Sequence, residues 1–269
     1  MINRICISIN NRCNIACRYC HFREKGVEQV ASMDVFAILD NVRSYASGPF
    51  KIGFVGNGEP FLDYPILKSC IEHISDCEFV RMYTITNGTI SLPKSEYLFL
   101  ERHGVNVGFS IDGHKEIHDR NRCNTFDLAM ANVEAYRKAT GHYPTFNATI
   151  GKESLAERDA LVSFFAPFET KVTFSRMIGE NGITLDEYRE FLDWAGRQIP
   201  VRIGGLDCTM YGGICAAGAN NYYFANGFVY YCGNCVDMPP VAASDIDLHA
   251  LEDILPSFDR SRCYKESCL

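Results

Sequence analysis

Within the first two hundred residues, short runs rich in β-branched and aromatic residues repeatedly give way to longer stretches with apolar residues at helical spacing, and this alternation limits the chain to few architectures. Strands are expected over 2–9, 50–55, 79–86, 105–111, 144–150 and 171–176, and helices over 34–46, 64–75, 94–103, 125–138, 154–166 and 184–198. In the first strand Ile5, Ile7 and Ile9 share a face, and in the first helix Val35, Ile38, Leu39, Val42 and Tyr45 share a stripe. Two helices carry capping boxes, Ser154 with Glu157 and Thr184 with Glu187, each pairing a side-chain acceptor with orphan amides. Strand and helix in regular alternation imply a parallel sheet with helices outside, either a partial barrel or a doubly wound sheet. Both architectures collect ligands at the carboxyl ends of their strands.

The motifs fall at those ends. The first strand runs into Cys13-Asn14-Ile15-Ala16-Cys17-Arg18-Tyr19-Cys20. Three cysteines so spaced can wrap one loop around an iron-sulfur cube, supply thiolates to three irons and leave the fourth open. Closely spaced cysteines also make zinc sites and redox loops, so the triplet alone does not decide. The next three strands end in Gly56-Asn57-Gly58-Glu59-Pro60, in Thr86-Asn87-Gly88 and in Ser110-Ile111-Asp112-Gly113. Glycines there let backbone approach a ligand, and a carboxylate such as Glu59 can hold an ammonium group. Each alone is ordinary turn chemistry. Together, in register with the cysteine loop, they are not independent accidents.

The totals narrow the class. A chain of 269 residues buries one sizeable core, with one main domain and a small appendage expected. A net charge of -7 argues against a nucleic-acid surface. No apolar run approaches the ~20 residues of a membrane span, and polar residues interrupt Ile2 to Ile15 too often for a signal peptide. The 13 cysteines fall in two groups. At about 5% of residues they lie below the ~8–10% of a disulfide scaffold, so in a cytoplasmic protein they stay free or bind metal.

With these residues in place the chain resembles the radical S-adenosylmethionine enzymes over nearly its whole length. Cys13, Cys17 and Cys20, with Tyr19 before the last, stand where that superfamily's motif stands, and Gly58-Glu59-Pro60 is similar to its Gly-Gly-Glu-Pro motif, with Asn57 in place of a glycine. The resemblance implies an α/β fold, a partial (β/α)6 barrel, over 1–200. It also implies a 4Fe-4S cluster on the three cysteines and S-adenosylmethionine on the fourth iron, its amino end held by backbone and Glu59. One electron would cleave the sulfonium to a 5'-deoxyadenosyl radical that takes hydrogen from substrate, the electron coming from a donor such as flavodoxin or ferredoxin. Tyr19, Gly58, Glu59, Pro60, Asn87, Ser110, Asp112 and Arg122 are the cofactor-binding residues so implied. Ser110 through Arg122 resembles the stretch of the SPASM and twitch subgroups, which include peptide maturases, where the serine and a downstream arginine contact the carboxylate of S-adenosylmethionine. His118 and Asp119 read equally as a solvated turn or as binding residues.

The last third holds Cys208, Cys215, Cys232, Cys235, Cys263 and Cys268. Between the second and third of these, Asn226-Gly227 is flanked by β-prone residues from Asn221 to Tyr231, a strong hairpin signal that brings Cys232 opposite Asn221. Cys215, Gly227 and Cys232 also fit the spacing of SPASM and twitch domains. That resemblance implies a C-terminal auxiliary-cluster domain of hairpin and helix over 201–269, with one auxiliary 4Fe-4S cluster on Cys208, Cys215, Cys232, Cys263 and Cys268. Cys235 is left as a spare thiol and candidate hydrogen donor, and a four-cysteine zinc site is the alternative for the region. Cys6, Cys70 and Cys77 read as small core residues, Cys123 as a reactive thiol beside the active-site face, and Trp194 as packing a helix on the barrel.

Three functions compete. The first is radical modification of a ribosomally made peptide, by crosslinking or epimerisation; Gly233 stands where sulfatase maturases carry a catalytic aspartate, which argues against formylglycine formation. The second is dehydrogenation or epimerisation of a sugar or aminocyclitol. The third is a non-catalytic iron-sulfur protein, which has no use for a methionine-binding Gly-Glu-Pro.

Overall fold

The structure is a computed structural model, which describes residues 1–20, 34–200, 217, 220–233, 241–243 and 247–251. Its strands are β1 (Arg4–Ile7), β2 (Phe50–Phe54), β3 (Val80–Thr86), β4 (Asn106–Ser110), β5 (Thr145–Ile150), β6 (Val172–Arg176), β7 (Asn221–Ala225), β8 (Phe228–Tyr230) and β9 (Val241–Ala242). The helices are α1 (Val35–Tyr45), α2 (Tyr64–Ile74), α3 (Lys94–Arg102), α4 (Lys115–Asn121), α5 (Phe126–Thr140), α6 (Lys152–Ala156), α7 (Arg158–Phe165) and α8 (Leu185–Ala195). Most follow the apolar spacing within a few residues. α1 starts where Asp34 accepts the Ala37 amide at 3.0 Å, and α5 stops at Gly141, whose φ of +89° takes the chain out of the helix.

One helix departs from expectation. The 154–166 segment is two helices, α6 and α7, that meet at Glu157. α6 starts after Gly151, so Ser154 lies inside it, buried, and its hydroxyl accepts the Gly151 amide at 3.4 Å instead of opening a box with Glu157. The Thr184–Glu187 box does form, with the Glu187 amide 3.2 Å from Thr184 Oγ1 and the Thr184 amide 2.7 Å from Glu187 Oε2.

The sheet runs β6-β5-β4-β3-β2-β1-β7-β8-β9, parallel from β6 through β7 and antiparallel beyond. Its two faces decide between the architectures the sequence leaves open. One face carries Ile5, Ile7, Ile52, Phe54, Phe109, Phe146 and Phe174, all buried against helix residues such as Leu39, Leu67, Tyr136 and Phe165. Each large apolar side chain so buried contributes about 1.5–3 kcal/mol. The other face carries Arg4, Cys6, Lys51, Gly53, Arg81, Tyr83, Asn106, Ser110, Asn147 and Thr149. A doubly wound sheet is apolar on both faces because helices cover both; one polar face belongs to a partial barrel, whose interior it lines. Cys6 is on this inner face, 3.3 Å from Tyr83 Oη, and so is not the core residue expected, whereas Cys70 is fully buried. Trp194 packs beside Phe191 with Arg158 4.9 Å above its ring.

The Asn226-Gly227 hairpin forms as read, with φ of +56° and +80° at its turn and Tyr223 paired with Tyr230. It extends the barrel sheet itself: β7 lies parallel to β1, with Arg4 beside Asn221 and Ile7 beside Phe224. The turn is thereby at the strand-end mouth, and Cys232 at the opposite end of the sheet.

Candidate active site

The cysteine loop is held against the loop after β2 by polar side chains that follow β1. Ser8 Oγ donates to the Asn10 carbonyl at 2.8 Å and accepts the Asn57 amide at 2.9 Å. Asn10 accepts the Arg12 amide at 3.1 Å and donates to the Glu59 carbonyl at 3.0 Å, while the Glu59 amide donates to the Arg12 carbonyl at 2.7 Å. The loops approach so closely that a Cβ at position 58 would sit 1.9 Å from Asn10 Oδ1 and 2.5 Å from the Arg12 carbonyl oxygen, which is why glycine stands there. Asn11 joins the same contact, accepting from the Asn57 amide group at 3.0 Å and donating to Asn226 in the hairpin turn. A small, open cleft lies between these loops, lined by Ser8, Asn10, Gly56, Gly58 and Pro60.

Glu59 does not face that cleft. Its carboxylate is 2% exposed and accepts the Phe61 amide at 3.0 Å, the Thr86 hydroxyl at 2.7 Å and the Asn87 amide at 2.6 Å. It ties the end of β2 to the end of β3, and burial raises its pKa against the pull of those donors. This inward turn departs from the expectation of a side chain reaching toward an ammonium group. Pro60 opens the 3-10 turn that follows. Asn87 is buried, donates to Asn14 Oδ1 at 2.9 Å, and places the same amide group 3.9 Å from Cys13 Sγ.

A second group of contacts holds the loop from the β4 side. Asp112 is fully buried and gathers the Tyr19 hydroxyl at 2.8 Å, the Thr149 amide at 3.0 Å and Arg122 Nε at 3.1 Å. Arg122 is 7% exposed, its guanidinium carbon lies 5.4 Å from the Tyr19 ring centre, and Nη1 is 3.8 Å from Cys17 Sγ. Burial works against its charge, but Asp112, Tyr19 and Cys17 outweigh that and raise its pKa. Burial likewise pushes the Cys17 thiol up to about 11, partly offset by Arg122, and raises the Tyr19 phenol. Arg122 and Asp112 are therefore committed to the cysteine loop and to each other. Ser110, at the end of β4, is buried on the inner face.

The segment behind Arg122 closes the clasp. The Arg18 amide donates to the Asn121 carbonyl at 2.9 Å, and Cys123 Sγ accepts the Ala16 amide at 3.3 Å and donates to its carbonyl at 3.1 Å. Cys123 and Asn124 reach this position with φ of +59° and +56°. Cys123 is exposed beside the site as read, but its sulfur is engaged by the loop. His118 and Asp119 are not a solvated turn. His118 is fully buried, accepts the Asp112 amide at 3.4 Å and meets Thr125 Oγ1 at 3.2 Å, while Asp119 accepts the Phe126 amide at 2.8 Å.

Cys13 is exposed, Cys17 and Cys20 are half-buried, and among the described residues no three His, Cys, Asp or Glu side chains are gathered at metal-holding separation. By donor type the loop fits an iron-sulfur cluster: three thiols from one turn, with N–H groups of Asn87 and Arg122 directed at two of the sulfurs. Of the C-terminal cysteines, Cys232 is half-buried against the core, while Cys208, Cys215, Cys235, Cys263 and Cys268 lie outside the described residues. Sequence reading passed over Ser8, Asn10 and Asn14; the polar run Asn10-Asn11-Arg12 directly after an apolar strand was the available signal.

Comparison with known proteins agrees with this geometry. The uncharacterized protein MJ0907 of Methanocaldococcus jannaschii is 25% identical over 259 residues, spanning 86% of this chain and 85% of that protein. A probable dual-specificity RNA methyltransferase RlmN of Synechocystis is 22% identical over 153 residues, 53% of this chain and 43% of its own length. Among solved structures, anSMEcpe with bound AdoMet matches 92% of this chain and 80% of its own at 20% identity and a TM-score of 0.75. Streptococcus suis SuiB bound to precursor peptide SuiA matches 94% of this chain and 64% of its own at 16% identity and a TM-score of 0.71. The description of the radical SAM superfamily matches residues 7–165, from the end of β1 through α7, and the chain belongs to that superfamily of enzymes.

Proposed function

We propose that this enzyme modifies a peptide by radical chemistry started at Cys13, Cys17 and Cys20. The observation that carries the peptide reading is the extent of structural likeness. The solved enzymes with bound peptide, anSMEcpe and SuiB, match 93–94% of this chain at TM-scores of 0.71–0.73, well beyond the family-defining residues 7–165. The radical SAM methyltransferase from Sphaerobacter thermophilus matches 76% at 0.56. The polar inner face of the sheet is the surface on which this reading places the peptide.

The superfamily implies a 4Fe-4S cluster and S-adenosylmethionine. Cys13, Cys17 and Cys20 would hold that cluster, which when bound supplies the electron that cleaves S-adenosylmethionine to a hydrogen-abstracting radical. The chain's own residues position the site. Asn87 and Arg122 put N–H groups beside the sulfurs of Cys13 and Cys17, and Asp112 fixes Arg122 and Tyr19. With Glu59 turned inward, the backbone around Gly58 is left to meet the amino end of S-adenosylmethionine, and the Ser110 hydroxyl its carboxylate. One auxiliary cluster on Cys232 and the cysteines of 208–215 and 263–268 completes the proposal.

The test is anaerobic reconstitution followed by reduction with S-adenosylmethionine present. The expected results are 5'-deoxyadenosine formation that Cys17→Ala abolishes, about eight irons per chain against about four for the catalytic cluster alone, and a mass or stereochemical change in a short peptide encoded beside this chain's gene. Turnover of a sugar or aminocyclitol with the peptide unchanged would replace the peptide reading by the small-molecule one.

A further inference from the structure

At the end of the barrel away from the cysteine loop, the strand register sets Asn221, Arg4, Lys51 and Arg81 side by side on the inner face of β7, β1, β2 and β3. Neighbouring strands lie roughly 4.8 Å apart, so three cations occupy a span of about 10 Å. Among the described residues none of the three has an ion-pair partner, although this chain of net charge -7 pairs many of its other cations with carboxylates. Arg81 bonds only the carbonyls of Glu78 and Val80, each at 3.0 Å, and Lys51 is exposed.

Arg4 is held in place for the row. Its Nη2 donates to Tyr83 Oη at 2.7 Å, and Tyr83 reaches across β2 because position 53 is glycine: a Cβ there would lie 2.3 Å from the tyrosine ring. With that end fixed, Arg4 Nε is buried with no partner among the described residues, and so is Oδ1 of Asn221 next to it. Buried polar atoms are satisfied as a rule, so the orphaned Arg4 donor in this row marks a place where an acceptor completes the bonding. Like charges on adjacent strands repel, and an anion reverses the sign of that interaction.

We propose that this row binds an anionic group of the substrate, which on the peptide reading above is a carboxylate-rich segment seated on the barrel floor while the residue to be modified faces the cysteine loop. An amide can present its NH₂ by rotation, so Asn221 joins Arg4 as a donor to the anion, with Lys51 and Arg81 drawing it in from the open side. Cys232 lies at this same end, so the reconstituted holoprotein is the material to use, with any cluster there in place.

Fluorescein-labelled hexaglutamate is titrated into the reconstituted holoprotein by anisotropy, with labelled hexalysine as the opposite-charge probe and tripolyphosphate as competitor. The result expected is hexaglutamate binding that weakens as salt is raised, no hexalysine binding at this site, and at least about a tenfold loss of affinity in Lys51→Glu/Arg81→Glu. Both positions are exposed, and far-UV circular dichroism with iron content confirms that the variant is folded and loaded. Tripolyphosphate binding that needs Lys51 and Arg81, with hexaglutamate inactive, supports the anion site while removing the peptide. Absence of binding by both anions, or binding unchanged in the double variant, overturns the proposal.

Discussion

Asp112 and Arg122 behave as one unit, and their variants should show it. Removing one member of a buried ion pair leaves the other charge uncompensated and costs about 3–5 kcal/mol, whereas removing both costs far less. Asp112→Asn and Arg122→Gln are each expected to lower the unfolding free energy by about that amount, and the double variant to recover much of it, by denaturant midpoints on matched preparations. His118 adds a pH dependence. Burial lowers its pKa from 6.5 to about 4, so the folded chain keeps it neutral while the unfolded chain takes up a proton below pH 6.5. Stability contributed by the neutral ring is therefore fully present above pH 6.5 and is lost as pH falls toward 4. At about 1.4 kcal/mol per unit the loss is about 3 kcal/mol, and His118→Gln should show a correspondingly flatter melting profile between pH 7 and pH 4.5. The cysteine loop and the turns after β2, β3 and β4 were legible because spacing and strand ends point to them, whereas Arg122 entered only with the resemblance to the SPASM and twitch subgroups. The direction in which Glu59 and Asp112 turn was not, because a motif carries no information about which of several nearby donors captures a carboxylate.

At the scale of elements, the loops after β1 and β2 act as one piece joined by Ser8, Asn10, Arg12 and Glu59. Gly58→Ala forces that piece apart, since a side-chain carbon has no room against the Arg12 backbone. The variant should fold, retain helix content by circular dichroism, and bind several-fold less iron on reconstitution, because the cysteine loop loses the surface it rests on. Six parallel strands and their helices were legible from periodicity, which is local. Two features were not. The break between α6 and α7 follows from a helix that begins at Gly151, three residues before the serine that looked like its cap. The docking of the hairpin on β1 is a long-range pairing, Arg4 with Asn221, which no window of sequence contains.

Across the whole molecule, the strand direction separates the cysteine loop, at one end of the inner face, from Arg4, Lys51 and Arg81 at the other. The strand that carries the cysteine loop, β1, is an inner strand, with five strands beyond it through β2 and three through β7. An inner strand opens only when the sheet opens, so amide hydrogens of Ile5–Ile7 should be among the slowest to exchange, and their rates should change little when iron is removed by a chelator. This placement has a consequence for the life of the enzyme in air. On the proposed reading, iron stripped by oxygen should leave the mount standing, so that iron and sulfide added back to the folded chain restore 5'-deoxyadenosine formation without refolding.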